Sequence, residues 1–338
     1  MISYQYIAAD AAKRNGKSMS KNKSQFKGAI ILLLTSVIWG SAFVAQSAGI
    51  EKIDAFTFNG IRTLIGALFL FIFILIRDAV TGRRLTAEEK KLRRRGNRSA
   101  LIYGSVLGVA LCAASNFQQF AFYESTPGKI ALITALYMFF VPLIGLIFKK
   151  RVSAITWVCI VIGFIGLYFL CIDPSQPFKI NRGDALAFVC AILFAVQILL
   201  VEKYAPLGDG VKISCVEFAV SGVISCVLMF IFERPVVSDI TASWLPILCA
   251  GILSTGVAYT LQIVGQKYCE ATIASLMMCM ESVFAVISAA LILHQVPTVR
   301  EGIGCAVMFL AIILSQVAEP AIEKHKKGKS IKQRKADV

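Results

Sequence analysis

The sequence predicts an all-α integral membrane protein of ten transmembrane helices arranged as two inverted five-helix repeats. Hydrophobic residues fill 57% of 338 positions, mean hydropathy is +0.73 and only 16% of residues are charged, more apolar sequence than a soluble core absorbs. The apolar residues gather into ten stretches close to the ~20 residues that a helix needs to cross a hydrocarbon layer ~30 Å thick with its backbone hydrogen bonds satisfied internally. Those ten stretches also divide into two sets of five with matching spacing of span and loop.

Residues 1–27 are polar and basic, with Lys13, Arg14, Lys17, Lys21, Lys23 and Lys27 and no small-residue cleavage site, so they read as a cytoplasmic tail rather than a signal peptide. Met19 would serve as a start as well as Met1. The first span covers residues 28–48 and carries Trp39; the second, 55–76, is apolar except for Asn59 and Arg62. The third, 100–122, pairs Gly104 with Gly108, a spacing that lets two helix backbones approach closely. The fourth, 128–148, contains Pro142, and the turn YESTPGK over 123–129 separates it from the third. The fifth, 154–171, carries Gly163 and Gly166, and ends the first repeat, residues 28–171.

The second repeat is expected over residues 184–317. Its spans are 184–201 with Gln197, 211–232 with Glu217, 245–264 with Pro246, Tyr259 and Gln262, 271–293 with Glu281, and 302–317. Residues 318–338 form a second basic tail. Laying Tyr123 on Tyr268 matches YESTPGKIALITALYMFFVPLIGLIFKKRVS with YCEATIASLMMCMESVFAVISAALILHQVPT without a gap. Because each repeat has an odd number of spans, the second enters the membrane from the opposite side, the architecture that places a substrate site near the midplane between halves of an alternating-access transporter.

Basic residues set the orientation. With the N-terminus inside, 28 of the 35 Lys and Arg residues fall in cytoplasmic segments and six in outer loops, which leaves Arg62. Both termini are therefore expected in the cytoplasm, across the cell membrane. The net charge of +15 reflects this bias: the expected partners are anionic lipid headgroups at the basic loops and a small-molecule substrate, not nucleic acid. A homodimer is an open expectation.

Three ionisable groups stand well inside spans, where each costs free energy and needs a reason: Arg62, Glu217 and Glu281. At ~1.5 Å per residue Arg62 lies about 10 Å from the outer face and Glu281 about 18 Å from it. Arg62 either snorkels to the outer headgroups or faces the interior between the halves, within reach of a carboxylate or a cavity; sharing a helix face with Asn59 favours the interior, with Glu281 as its candidate partner. Aligning the repeats at their second helices puts Asn59 opposite Glu217. The amides Gln46, Asn116, Gln118, Gln119, Gln197, Gln262 and Gln266 are expected mostly to hydrogen-bond between helices. Trp39, Tyr103, Tyr137 and Tyr259 lie deeper than the interfacial belt and can line a cavity for amphipathic or cationic solutes.

Five segments carry a family resemblance: IWGSAFVAQ (38–46), FTFNGIRTLIGALFL (56–70), TPGKIALITALYMFFVPLIG (126–145), LSTGVAYTLQIVGQKY (253–268) and MESVFA (280–285). In this order they resemble EamA-type permeases of the drug/metabolite transporter superfamily, over roughly residues 28–317. The resemblance implies ten helices in two inverted halves and transport of small metabolites, often amino acids and often outward. It places Gln197 and Gln262 near a central cavity and gives weight to Trp39 through its WGS motif. The chain departs from the pattern at Lys150 and Gln295, where many relatives carry Glu, and at Ser282, where many carry Pro.

The candidate substrate-binding or coupling residues are thus Trp39, Asn59, Arg62, Gln118, Tyr137, Gln197, Glu217, Tyr259, Gln262 and Glu281, with no catalytic residue, metal ligand or cofactor expected. The ten cysteines lie in or beside spans without a CxxC and read as small apolar residues. The sulfurs of MMCM (277–280) point around a helix rather than to one site. The only histidines are His294 and His325, and no P-loop, HExxH or nucleophile elbow occurs. A passive channel, and less so a membrane enzyme acting on lipid or nucleotide-sugar, stand as the alternatives to a secondary transporter.

Overall fold

The computed structural model describes residues 24–41, 53–80, 87–125, 127–150, 152–172, 180–292 and 296–316, which are helical apart from short connections. In chain order the helices are α1 (residues 24–41), α2 (Ala55–Val80), α3 (Ala87–Ala121), α4 (Pro127–Thr134), α5 (Tyr137–Ile147), α6 (Ala154–Cys171) and α7 (Arg182–Tyr204). They continue with α8 (Gly210–Phe232), α9 (Val237–Ala242), α10 (Trp244–Cys249), a π-helical segment (Ala250–Tyr259), α11 (Thr260–Gln266), α12 (Ala271–Met278), α13 (Glu281–Ile292) and α14 (Val299–Gln316). Among the described residues nine spans are long and apolar enough to cross a membrane. The first expected span is present as α1 up to Ser41, and its remainder to Ala48 lies outside the described residues.

The structure corrects the expected elements in two ways. The basic stretch before the third span belongs to the helix, since α3 starts at Ala87; Ala, Glu, Lys, Leu and Arg all favour helix and no proline interrupts them. Three expected continuous spans are interrupted. The fourth breaks at Ala135 and Leu136, the ninth at Cys279 and Met280, and the eighth is π-helical in its middle. At both breaks the backbone tightens to i→i−3 bonds: Leu136 N donates to Ile133 O at 3.1 Å, and Met280 N to Met277 O at 3.2 Å.

Helix ends are satisfied as local sequence dictates. Asn181 and Asp184 form a capping box on α7, and Asp209 accepts from Val211 N at 3.0 Å to cap α8. At the end of α5 Lys149 takes a left-handed conformation (φ 60°), so that Lys150 N reaches Gly145 O at 3.0 Å. This is a Schellman-type stop without the usual glycine. Lys150, the position where many relatives carry Glu, pairs with Glu202 of α7.

Burial runs opposite to that of a soluble helix. The buried face of α2 includes Thr57, Asn59, Arg62 and Thr63, whereas Leu68, Phe71, Phe73 and Ile76 are exposed. Lipid accepts the apolar side, and the polar side finds partners only within the bundle. α2 packs along α8, and α3 along α7 and α8; α2 also meets the π segment. α4 and α5 pack on α7, α12 on α5, and α6 on α4, α12 and α13. Gly104 and Gly108 explain the approach of α3 to α8: a Cβ there would stand 2.7 Å from Ile213 O and from Glu217 O respectively.

Polar ties hold α2 to α8 at both ends. Both carboxylate oxygens of Glu233, just past α8, accept from the first turn of α2, Phe56 N and Thr57 N each at 2.8 Å, a charge that suits a helix N-terminus. At the other end Arg77 donates to Asp209 at 2.8 Å and Lys212 lies 3.8 Å from Asp78. Burial alone would push the Asp209 carboxyl up; the Arg77 hydrogen bond and charge, with the Val211 and Lys212 N–H groups, outweigh it and hold it below the usual carboxylate range.

Candidate functional site

Between the helices lies a cavity of about 650 Å³ of empty space, including its open mouth. Seven of the ten expected residues line it: Trp39, Arg62, Gln118, Tyr137, Tyr259, Gln262 and Glu281. Thr134, Phe194, Ile198, Ser254 and Met278 complete the lining.

The two helix breaks deliver four of these groups. Thr134 and Tyr137 flank the first break, Met278 and Glu281 the second. The members of each corresponding pair stand 144 positions apart, one fewer than the spacing set by laying Tyr123 on Tyr268. Each pair is spaced i,i+3, which shares a face in a helix and eclipses in a tightened turn, so both members of each pair enter one space. Gly40 permits α1 to close on this wall, because a Cβ there would lie 2.6 Å from Glu281 O.

The aromatic wall is built from α1 and the π segment. Trp39 Nε1 donates to Ser254 O at 3.3 Å, and its ring meets Tyr259 edge-on at 4.7 Å between centroids. Phe218 of α8 backs Tyr259 at 6.1 Å. A single indole N–H thus uses a π-segment carbonyl and leaves the ring faces for packing and for the cavity.

Arg62 is 4% exposed and faces the interior, not lipid. Nε donates to Asn59 Oδ1 at 2.8 Å, and the guanidinium lies 5.4 Å from the Phe58 ring centroid. Asn59 is itself anchored: its Nδ2 donates to Ser115 O and Asn116 Oδ1, each at 3.0 Å, and Asn116 donates to Ser225 Oγ at 2.9 Å. The expected pairing with Glu281 does not form. No ion pair or further hydrogen bond engages the Arg62 guanidinium among the described residues, so its terminal nitrogens open on the cavity. The i,i+3 spacing on α2 wins because Asn59 is already on the same helix face, while Glu281 stands on another wall of the cavity.

Gln197 and Glu217 lie behind the lining. Gln197 Nε2 donates to Glu217 Oε1 at 3.1 Å, and Gln262 Nε2 donates to Gln197 Oε1 at 3.2 Å. Gln266 donates to Ile198 O at 3.1 Å, and Gln266 and Asn116 serve as interhelical glue as expected. Gln119 is buried without contacting the cavity, and Gln46 lies outside the described residues. Tyr103 does not reach the site; it stacks on Tyr204 at 4.8 Å in a separate cluster. All ten cysteines are free, buried or half-buried. Met277 and Met280 pack in the core while Met278 faces the cavity, so the sulfurs of MMCM diverge.

Sequence reasoning missed Ser254, Thr134, Met278, Phe194 and Ile198. The small-residue run around Ser254 was the one signal, since a π-helical turn brings a carbonyl out of register where small side chains allow it.

Comparison with known proteins agrees with this architecture. The model of the EamA-like transporter family matches residues 26–172 and again 181–316. A protein of Archaeoglobus fulgidus called an uncharacterized transporter is 24% identical over 284 residues, covering 84% of this chain and 83% of its own. Another uncharacterized transporter, from Clostridium kluyveri, is 25% identical over 86% of this chain and 93% of its own. The uncharacterized transporter YoaV of Bacillus subtilis is 23% identical over 84% and 94%. A solved crystal structure superposes with a TM-score of 0.70 at 15% identity, covering 88% of this chain and 99% of the other, which shows a shared fold. With the family matched over both halves of a bundle of apolar membrane-spanning helices, the chain belongs to the EamA-like transporter family, within the drug/metabolite transporter superfamily, and is a multi-pass membrane transporter.

Proposed function

We propose that the protein is a secondary active exporter that moves small organic solutes across the cell membrane by alternating access, without changing them chemically. The solute binds in the central cavity, and the observation that carries this is the pair of unpaired ionisable side chains in it: Arg62 and Glu281 both line the cavity and neither is ion-paired among the described residues. Charges left open in a low-dielectric site are costly unless a ligand meets them. An acid group suits the Arg62 fork, an amine suits Glu281, and an apolar body suits Trp39, Tyr137 and Tyr259. Amino acids and related solutes have that form.

The ten-helix, inverted-repeat reading is supported by the contacts. Numbering the spans through the chain, the second lies on the seventh; the second meets the eighth as the seventh meets the third; and the fourth rests on the sixth as the ninth rests on the first, where Ser36 Oγ donates to Met277 O at 2.9 Å. Exchanging halves leaves this pattern unchanged, as rocking of one half against the other requires. Both termini are assigned to the cytoplasm from the distribution of basic residues. The test is uptake and counterflow in proteoliposomes against amino acids, organic cations and drugs. Saturable counterflow of an amino acid is expected; a non-saturating flux would assign a channel instead.

A further inference from the structure

Glu217 is a carboxylate that the cavity lining does not use. It is fully buried on α8; Oε1 accepts from Gln197, and Oε2 has no partner. Its pseudo-equivalent on α2 is Asn59, whose oxygen meets Arg62 three residues on; three residues beyond Glu217 stands Val220. The second half therefore lacks the cation that the first half has.

The groups on elements packed against α8 are otherwise engaged. From α2, Arg62 is held by Asn59, and Arg77 and Asp78 join Asp209 and Lys212 at the helix end. On α3, Arg94, Arg95 and Arg98 are exposed and Cys112 contacts Ser225. On α7, Glu202 pairs with Lys150, Lys203 lies over Tyr204, and Cys190 is a buried thiol. Lys267, past α11, donates to Gly208 O, and Cys215 and Cys226 of α8 are thiols. Tyr259 of the π segment is a phenol on the cavity wall. None of these supplies Glu217 with a counter-ion. A sodium-like cation would need a cage of oxygens, yet the side chain aimed at Glu217 is an amide N–H donor. A proton on Oε2 meets the need without further ligands.

We propose that Glu217 carries an exchangeable proton coupled to the occupancy of the cavity through Gln197 and Gln262. This rests on the transport reading above. Gln262 spans both environments: it lines the cavity, donates to Gln197, and keeps a buried, unpartnered Oε1. When the Oε2–H bond of Glu217 breaks, the proton passes to water in the cavity as hydronium and the carboxylate retains the electron pair. Its Oε2 then draws the Gln262 amide from its present bonds, which changes the wall that the solute touches.

Infrared difference spectroscopy of the full chain in lipid vesicles tests this without any solute. A protonated-carboxyl C=O band is expected to bleach as the buffer goes from mildly acidic to alkaline. It should be lost in Glu217→Gln, kept in Glu281→Gln and shifted in Gln197→Leu. A difference spectrum from which Glu217→Gln removes no band, or in which the band it removes fails to titrate in wild type or bleaches with sodium at constant pH, overturns the proposal. In the same vesicles, absence of transport across the amino acid, cation and drug panel would sink the transport reading while leaving the titrating band intact. Transport by Glu217→Gln with the wild-type pH profile would sink the coupling and leave transport standing.

Discussion

Replacing Arg62 tests the cavity reading most directly. The guanidinium spends Nε on Asn59 and presents its terminal nitrogens to the cavity, a fork that can hold one carboxylate with two parallel bonds. Hydrogen bonds to charged groups contribute a net ~1.5–3 kcal/mol, so losing this contact should raise KM about tenfold to about 150-fold. Arg62→Lys keeps the charge but not the fork and should sit at the lower end; Arg62→Met removes both and should sit at the upper end. Arg62→Met also strips a donor from Asn59 Oδ1, in a side chain only 1% exposed, which costs ~1–3 kcal/mol of stability. Monodispersity and thermal melts in detergent separate that loss from binding. The assay is proteoliposome uptake of whichever amino acid the panel identifies, competed by its decarboxylated amine. Wild type should prefer the acid by the same factor by which Arg62→Met loses it, so the two competitors become equal in the variant. An undiminished preference for the acid in Arg62→Met would refute an anion seat at this residue.

Three further outcomes follow from packing and from the helix ends. Gly108→Leu should drive side-chain atoms into the α8 backbone, where even a Cβ stands 2.7 Å from Glu217 O, and lower stability by ~1–3 kcal/mol in a thermal melt. Lys149→Gly should raise stability by ~1 kcal/mol, because Lys149 sits at φ 60°, a conformation that glycine adopts without strain; an unchanged melt would remove the strain argument. Asp209→Asn should cost under ~1 kcal/mol at neutral pH, since its side chain in the Arg77 pair is 37% exposed and solvent screens it. Because folding lowers the Asp209 carboxyl, the contribution is present above its unfolded value of about 3.9 and is lost as pH falls through the lower folded value. The difference between variant and wild type should therefore vanish in strong acid.

Much of this protein is legible in its sequence because the bilayer leaves few options. A run of apolar residues near span length must be a helix, since no other single segment satisfies its own backbone in lipid, and so the nine described spans fall close to where hydropathy puts them. The same rule singled out Arg62, Glu217 and Glu281, because an ionisable group in such a run has to find the interior. Amides and aromatics such as Gln118, Gln262, Trp39 and Tyr259 were legible for a related reason: their depth is inconsistent with a lipid-facing role.

What lay beyond the sequence is how groups on different helices meet. Depth along each axis made Glu281 the candidate partner of Arg62, but axial depth says nothing about rotation of one helix relative to another, and Asn59 on the same face took the hydrogen bond. The breaks at Ala135 and Cys279 carry no composition that separates them from ordinary apolar helix, and the π-helical segment Ala250–Tyr259 shows only its small-residue run around Ser254; tertiary packing overrides weak local preference there. Hydropathy and charge thus determined the class, the span positions and the short list of interior polar residues. Only the packed bundle decided that Arg62 and Glu281 share a cavity without pairing, and that Glu217 sits behind its wall with an oxygen unpartnered, because those outcomes depend on helix rotation and close approach, which a one-dimensional pattern does not encode.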